Sequence, residues 1–171
     1  MQGYVQVYTG DGKGKTTAAL GLVLRAVGAG LRVFVGQFIK GREYSEIQAL
    51  HEHLPAVTVE QFGHGRFIRN APAAEDIEAA QRGLARLREV LAGGHYDLVV
   101  ADEACTAVQA GLFGEDDLLA VLDARPASVE LVLTGRAAGA RLQARADLVT
   151  EMRCVKHYFS EGVKGRPGIE S

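Results

Sequence analysis

The residues with the clearest chemistry lie near the start of the chain, in Gly10-Asp11-Gly12-Lys13-Gly14-Lys15-Thr16-Thr17. Glycine at every second position permits positive φ angles and lets backbone N–H groups converge on an anion, Lys15 adds a point charge, and Thr16 adds a hydroxyl suited to Mg²⁺ beside a phosphate. The usual phosphate loop reads G-x-x-x-x-G-K-[ST]; here Thr9 stands at its first position, so the glycine-bounded stretch is one residue shorter. Its flanks support the reading. Tyr4-Val5-Gln6-Val7-Tyr8 has the composition of a strand, and from Thr16 onward Leu20, Val23, Leu24 and Val27 fall at helical spacing until Gly28 and Gly30 stop the pattern. Strand, glycine loop and helix in that order aim a helix N-terminus at a polyphosphate, which makes Gly10 to Thr17 a nucleoside-triphosphate site rather than an incidental glycine turn.

Asp102-Glu103 follows the apolar run Leu98-Val99-Val100-Ala101, at the end of a predicted strand, where parallel sheets place their ligands. Carboxylates there can hold Mg²⁺, directly or through water, together with the Thr16 hydroxyl; the bland alternative is a solvated acidic pair or a helix cap. Arg136, in Thr134-Gly135-Arg136, points toward the same edge and is a phosphate candidate, with a surface salt bridge equally compatible. Spacing alone makes Arg25 a surface charge. His51, His53, His64, His95 and His157 form no ligand pattern, and Cys105 and Cys154 have no metal or redox spacing, so the histidines read as solvent-exposed and the cysteines as ordinary reduced thiols.

These groups require a scaffold of alternating strands and helices. Arg32 to Ile39, Val57 to Phe62, Asp97 to Asp102, Val129 to Thr134 and Leu148 to Lys156 read as further strands; a long helix from near Ala74 ends at Gly93-Gly94, and another runs from about Glu115 to Arg125, before Pro126. Strands separated by helical crossovers pair in parallel, so the expected fold is α/β with a mostly parallel central sheet flanked by helices, a phosphate-loop NTPase architecture of the RecA-like kind. Length, 171 residues with 47% hydrophobic and 23% charged content, suits one domain over residues 1–171, with a tail from about Glu161. A formal net charge of −2 without a basic run gives no signature of nucleic acid or membrane-surface binding. No stretch is apolar for long enough to span a bilayer, and the expected setting is cytoplasmic.

Beyond the loop, Gln37-Phe38-Ile39-Lys40-Gly41, Asp102-Glu103, Leu133-Thr134-Gly135-Arg136 and the block Ala146 to Arg153 with Val155-Lys156-His157 and Gly162-Val163-Lys164 make the chain resemble the phosphate-loop ATP:corrinoid adenosyltransferases nearly end to end. That family shares the shortened loop. The resemblance implies transfer of the 5′-deoxyadenosyl group of ATP to the Co(I) of a reduced corrinoid, with release of triphosphate. It also implies that Lys15 and the loop amides bind triphosphate, that Thr16 and Glu103 hold Mg²⁺, and that Arg25 and Arg136 contact phosphate. It suggests a homodimer and a flavodoxin or flavin reductant. Familiar members carry an arm before the first strand and an aromatic pair including tryptophan after the third. This chain has no tryptophan, and Phe62, Phe67 and Ile68 are the candidates for meeting the corrinoid, with core packing or loop anchoring as their alternative role.

Two other uses of such a loop are open to the same residues. A small-molecule kinase would need an acceptor-side base and an arginine-bearing lid, neither of which stands out. A nucleotide-switched partition-type ATPase is suggested by Lys13 so close to Lys15, and would hydrolyse ATP without a second substrate.

Overall fold

The computed structural model describes residues 1–42, 44–65 and 71–170. Strands β1 (Val5–Thr9), β2 (Val33–Phe38), β3 (Val57–Phe62), β4 (Leu98–Asp102), β5 (Glu130–Thr134) and β6 (Leu148–Glu151) form one sheet in the order β3-β2-β4-β5-β1-β6. Every neighbouring pair is parallel, which sharpens the expected mostly parallel sheet to a wholly parallel one. The helices are α1 (Lys15–Gly28), α2 (Ser45–His53), α3 (Ala74–Ala92), α4 (Ala104–Gln109), α5 (Glu115–Ala124) and α6 (Ala140–Arg145), with a 3₁₀ turn at Tyr158–Glu161.

The sheet is covered on both faces, and strand periodicity sorts its side chains between two cores. Phe34, Val99 and Leu131 pack with Leu84, Leu87 and Leu91 of α3 and Leu118 and Leu122 of α5. Their chain neighbours Val35, Val100 and Val132 point the other way, toward Ala19, Val23 and Ala26 of α1 and Ile47 and Leu50 of α2. β2 and β4 are buried along their whole length, with Gln37 and Asp102 the polar residues among their buried side chains. Acids in the first turns of α3 and α5 cap them: Asp76 accepts from the Ala73 N–H at 3.2 Å and Asp117 from the Gly114 N–H at 2.9 Å.

Three short helices, α2, α4 and α6, have no counterpart in the sequence reading. The last strand is shorter than the expected Leu148 to Lys156. The Met152 N–H still donates to Thr9 at 2.8 Å, but the Met152 carbonyl then turns to accept from the Gly12 N–H at 2.6 Å, so the chain leaves the sheet to pass beneath the phosphate loop. The C-terminal residues are not a free tail either; Ile169 and Glu170 fold back onto Lys13.

Among the described residues, the non-glycines with positive φ are Ile39 (64°), Glu103 (59°) and Ala137 (50°). They follow β2, β4 and β5, all at the C-terminal edge of the sheet. Residues other than glycine, asparagine and aspartate seldom adopt this conformation, and such strain gathers where the fold must aim a side chain.

Candidate functional site

A cavity of about 830 Å³ opens at this edge, lined by the loop from Asp11 to Thr17, by Lys40, Ser45 and Glu46, by Glu103 and Arg136, and by His157 and Gly168 to Glu170. The phosphate loop holds its shape through glycine geometry. Gly10 and Gly14 have φ of 95° and 116°, and a Cβ on Gly10 or Gly12 would approach the Met152 carbonyl oxygen to 2.4 or 2.7 Å. Lys15 opens α1 and is buried at 8% exposure, not displayed on a solvent-facing loop. Its ammonium folds back to donate to the carbonyls of Gly10 at 2.7 Å and Gly12 at 2.8 Å. Burial pushes its pKa below the ordinary lysine value, against an opposing pull from nearby Glu103.

Asp102, 1% exposed, is the hub of the site. Oδ1 accepts from the hydroxyls of Thr16 at 2.8 Å and Thr134 at 2.7 Å, and Oδ2 accepts from Lys40 Nζ at 2.9 Å and Gln37 Nε2 at 3.1 Å. The donors come from α1, β5, β2 and the turn after β2. Gln37 is fixed in turn by Gln61, whose amide donates to it at 3.0 Å. The four donors satisfy the hydrogen-bonding capacity of a carboxylate that would be costly to bury unpartnered. Lys40 is aimed inward by a tight turn: the Lys40 N–H donates to the Phe38 carbonyl at 2.6 Å across the strained Ile39. Burial disfavours its charge, yet Asp102 together with Glu103 and Glu46 outweighs burial and leaves the Lys40 pKa raised.

Glu103 lines the cavity beside this hub, its N–H donating to Thr134 Oγ1 at 2.9 Å. Arg136 lines the cavity too, held by its N–H on Thr106 Oγ1 at 3.0 Å. A Cβ at the preceding Gly135, where φ is 139°, would meet the Thr106 nitrogen at 2.5 Å, so that tight passage requires glycine. The structure therefore brings Asp11 to Thr17, Glu103 and Arg136 into one cavity, with Asp102 directly behind Thr16.

It does not bring Arg25 or Phe62 there. Arg25 sits in the last turn of α1, ten residues and about 15 Å along the helix from Lys15, and is absent from the cavity wall. The half-buried Phe62 ring packs on Phe38 at 5.6 Å and against Gly83 of α3, in keeping with the core-packing alternative for this residue. Phe67 and Ile68 lie outside the described residues. Cys105 is buried, which pushes its thiol up to about 12, whereas Cys154 is exposed. His157, expected in solvent, is half-buried and borders the cavity, its Nδ1 accepting from the Phe159 N–H at 3.1 Å.

The sequence reading quoted Gln37, Lys40 and Thr134 within motifs but gave them no role, and missed Glu170. The first three could have been found from their positions at strand ends flanking Asp102. Glu170 carries no such signal, because a chain segment that folds back from so far away leaves no local pattern.

The oxygen donors Thr16, Asp102 and Glu103 suit Mg²⁺, and the placement of Lys40 Nζ, 2.9 Å from Asp102 and 3.3 Å from Thr16 Oγ1, marks the spot as one that takes a cation. Among the described residues no three His, Cys, Asp or Glu side chains are grouped to hold a metal ion.

Residues 1–171 match the family model described as ATP:corrinoid adenosyltransferase BtuR/CobO/CobP. The chain is 38% identical over 170 residues to the corrinoid adenosyltransferase of Pseudomonas aeruginosa, covering 99% of this chain and 84% of that one. It is 37% identical to corrinoid adenosyltransferase CobA of Salmonella typhimurium and 35% identical to the corrinoid adenosyltransferase of Escherichia coli K12, each match covering 99% of this chain and 86% of the relative. With a whole-length family match and a phosphate loop that opens onto Asp102 and Glu103, the chain belongs to the ATP:corrinoid adenosyltransferase family.

Proposed function

We propose that this protein transfers the 5′-deoxyadenosyl group of ATP to the Co(I) centre of a reduced corrinoid and releases triphosphate. The observation that carries the reading is the single cavity in which the short phosphate loop, Thr16, Glu103 and Arg136 face one another. Such a site binds and neutralises a polyphosphate, and this reaction asks for little else. The cobalt electron pair forms the Co–C5′ bond while the C5′–O5′ bond breaks, its pair leaving on the triphosphate oxygen; cobalt becomes formally Co(III), and no proton moves.

Catalysis then consists of positioning and of stabilising charge that grows on the departing oxygen. The N–H groups of Gly10 to Thr17 and the N-terminus of α1 receive phosphate oxygens, Lys15 moves from the loop carbonyls to the phosphates, and Arg136 meets them from the opposite wall. Thr16, Asp102 and Glu103 would hold Mg²⁺, which when bound neutralises part of the polyphosphate charge. The α-phosphate must face this charge, because the bond that breaks is at the 5′ carbon.

Residues 1–171 form one domain on this reading, since both cores share one sheet. The segment from Gly63 to Pro72 is the candidate cover for the corrinoid, with Phe67 and Ile68 as its apolar contacts. Homodimeric assembly, a flavodoxin or flavin source of Co(I) and a cytoplasmic setting complete the reading on the family's pattern.

Incubation with ATP, Mg²⁺ and chemically reduced cobalamin tests it. The expected result is a light-sensitive carbon–cobalt product together with stoichiometric triphosphate in the phosphorus NMR spectrum. ADP in place of triphosphate, without a carbon–cobalt bond, would replace the transferase with a kinase or switch.

A further inference from the structure

Asp102 has four hydrogen-bond donors and no unoccupied side of its carboxylate, and one of the four carries a full charge. Lys40 Nζ bridges Asp102 Oδ2 and Thr16 Oγ1, two of the groups that would hold Mg²⁺. An ammonium in that place repels a divalent ion strongly, since the two charges would lie within a few ångströms in a poorly solvated pocket. Lys40 also has somewhere else to go. Glu46, in the first turn of α2 and on the same cavity wall, lies 4.0 Å from Nζ, and the Lys40 side chain keeps 20% of its surface exposed toward the cavity. The backbone strain at Ile39 is spent on directing this one side chain inward.

We infer that Lys40 is a resident cation of the metal site: it holds Asp102 and Thr16 in register while the nucleotide is absent, and yields its place by swinging toward Glu46 when Mg²⁺ arrives with ATP. The exchange keeps Asp102 paired in both states. It also makes metal binding conditional on nucleotide, because only the added phosphate charge tips the balance from the lysine to the ion. Lys40 is thus a positioning residue, acting through Asp102 and Thr16. The inference rests on the assignment of the metal to Thr16, Asp102 and Glu103.

Mn²⁺ serves as the probe, its free fraction followed by electron paramagnetic resonance with full-length protein, with and without ATP. Without ATP, Lys40→Met should bind Mn²⁺ at least about tenfold tighter than wild type, whereas Lys40→Arg, which keeps the charge, should resemble wild type. Combining Lys40→Met with Asp102→Asn should abolish the gain. Lys40→Gln retains a donor for Asp102 without the charge, and should reproduce the gain if Lys40→Met folds poorly. With ATP, Glu46→Gln should weaken Mn²⁺ binding in wild type but not in the Lys40→Met background, because the landing position matters only when there is a lysine to move. Equal Mn²⁺ affinity of wild type and both neutral variants without ATP would overturn the role of Lys40. Failure of wild type with ATP to retain any Mn²⁺ beyond that held by ATP alone would instead overturn the metal site itself.

Discussion

The two rims of the cavity are built in opposite ways. On the sheet side, Asp102 is buried and receives four donors from three segments, α1, β5 and β2 with the turn that follows it. On the far side, Gly168 to Glu170 approach the loop on few contacts, most of them to one carboxylate: Glu170 accepts from Lys13 at 3.0 Å, from Arg166 at 3.1 Å and from the Tyr158 hydroxyl, and Lys13 also donates to the Ile169 carbonyl at 2.7 Å. Several elements must give way together before the first rim changes shape, whereas loss of a single surface charge removes most of the contacts that hold the second. Preorganised electrostatics belong where the reaction's charge develops, and a releasable contact belongs where a large substrate must enter.

The largest effect expected from breaking the comparison is on the sheet-side rim. Lys15→Ala should lower ATP affinity about 100-fold, the scale of a lost charge-assisted contact to phosphate, as read by titration calorimetry. The fold should persist, since the lost contacts to Gly10 and Gly12 hold only the loop. Thr16→Ala should act more narrowly, raising the Mg²⁺ concentration needed for half-maximal turnover about tenfold. Wild-type ATP affinity in the first variant would remove the phosphate-loop assignment.

Asp102→Asn comes next. One side of the amide can still accept from Thr16 and Thr134, but its NH₂ would face Lys40 and Gln37, which are donors themselves. The substitution leaves a partly buried ammonium with Glu46, 4.0 Å away, in place of its 2.9 Å partner and should cost about 3 kcal/mol in denaturant unfolding. Lys40→Met in the same background should recover part of this loss, because the repulsive pairing disappears. A simple sum of the two single effects would show that the hub is a set of independent contacts.

The contrast between the rims also explains what could be read from the sequence. Loop, α1 and the strands β3, β4 and β5 were legible because a glycine cluster, a period of 3.6 and apolar runs are local signals. Asp102 and Glu103 were legible because they stand at a strand's end. The hub was not, because its other members, Gln37, Lys40 and Thr134, become neighbours of Asp102 only through the strand order β2-β4-β5, which no window of sequence contains. Arg25 shows the same separation of sequence from space: the resemblance pairs it with the loop, and helix rise sets it about 15 Å along α1 from Lys15. Phe62 follows the strand period to the α3 face, where Phe38 and Gly83 already define a place for it.

The smallest effect is expected at the tail. Hydrogen bonds from Arg166 and Tyr158 hold the Glu170 carboxyl well below its ordinary value of 4.5, with Lys13 adding to them. A carboxylate with a depressed pKa in the attached state favours attachment at every pH above 4.5; that advantage is lost as the pH falls below it, toward the depressed value. Amides from 158 to 170 should therefore be protected from hydrogen exchange at neutral pH and lose protection progressively in acid. Glu170→Gln should show the acid behaviour already at pH 7, with several-fold faster exchange in this segment and no change in β1, β4 or β5. It should also free Lys13 for phosphate, so that ATP associates faster while Asp102→Asn, on the other rim, leaves the tail's exchange as it was. If Glu170→Gln instead slowed exchange in the tail or loosened the sheet-side strands, the two rims would be one mechanical unit, and the division of labour between a fixed electrostatic wall and a releasable one would fail.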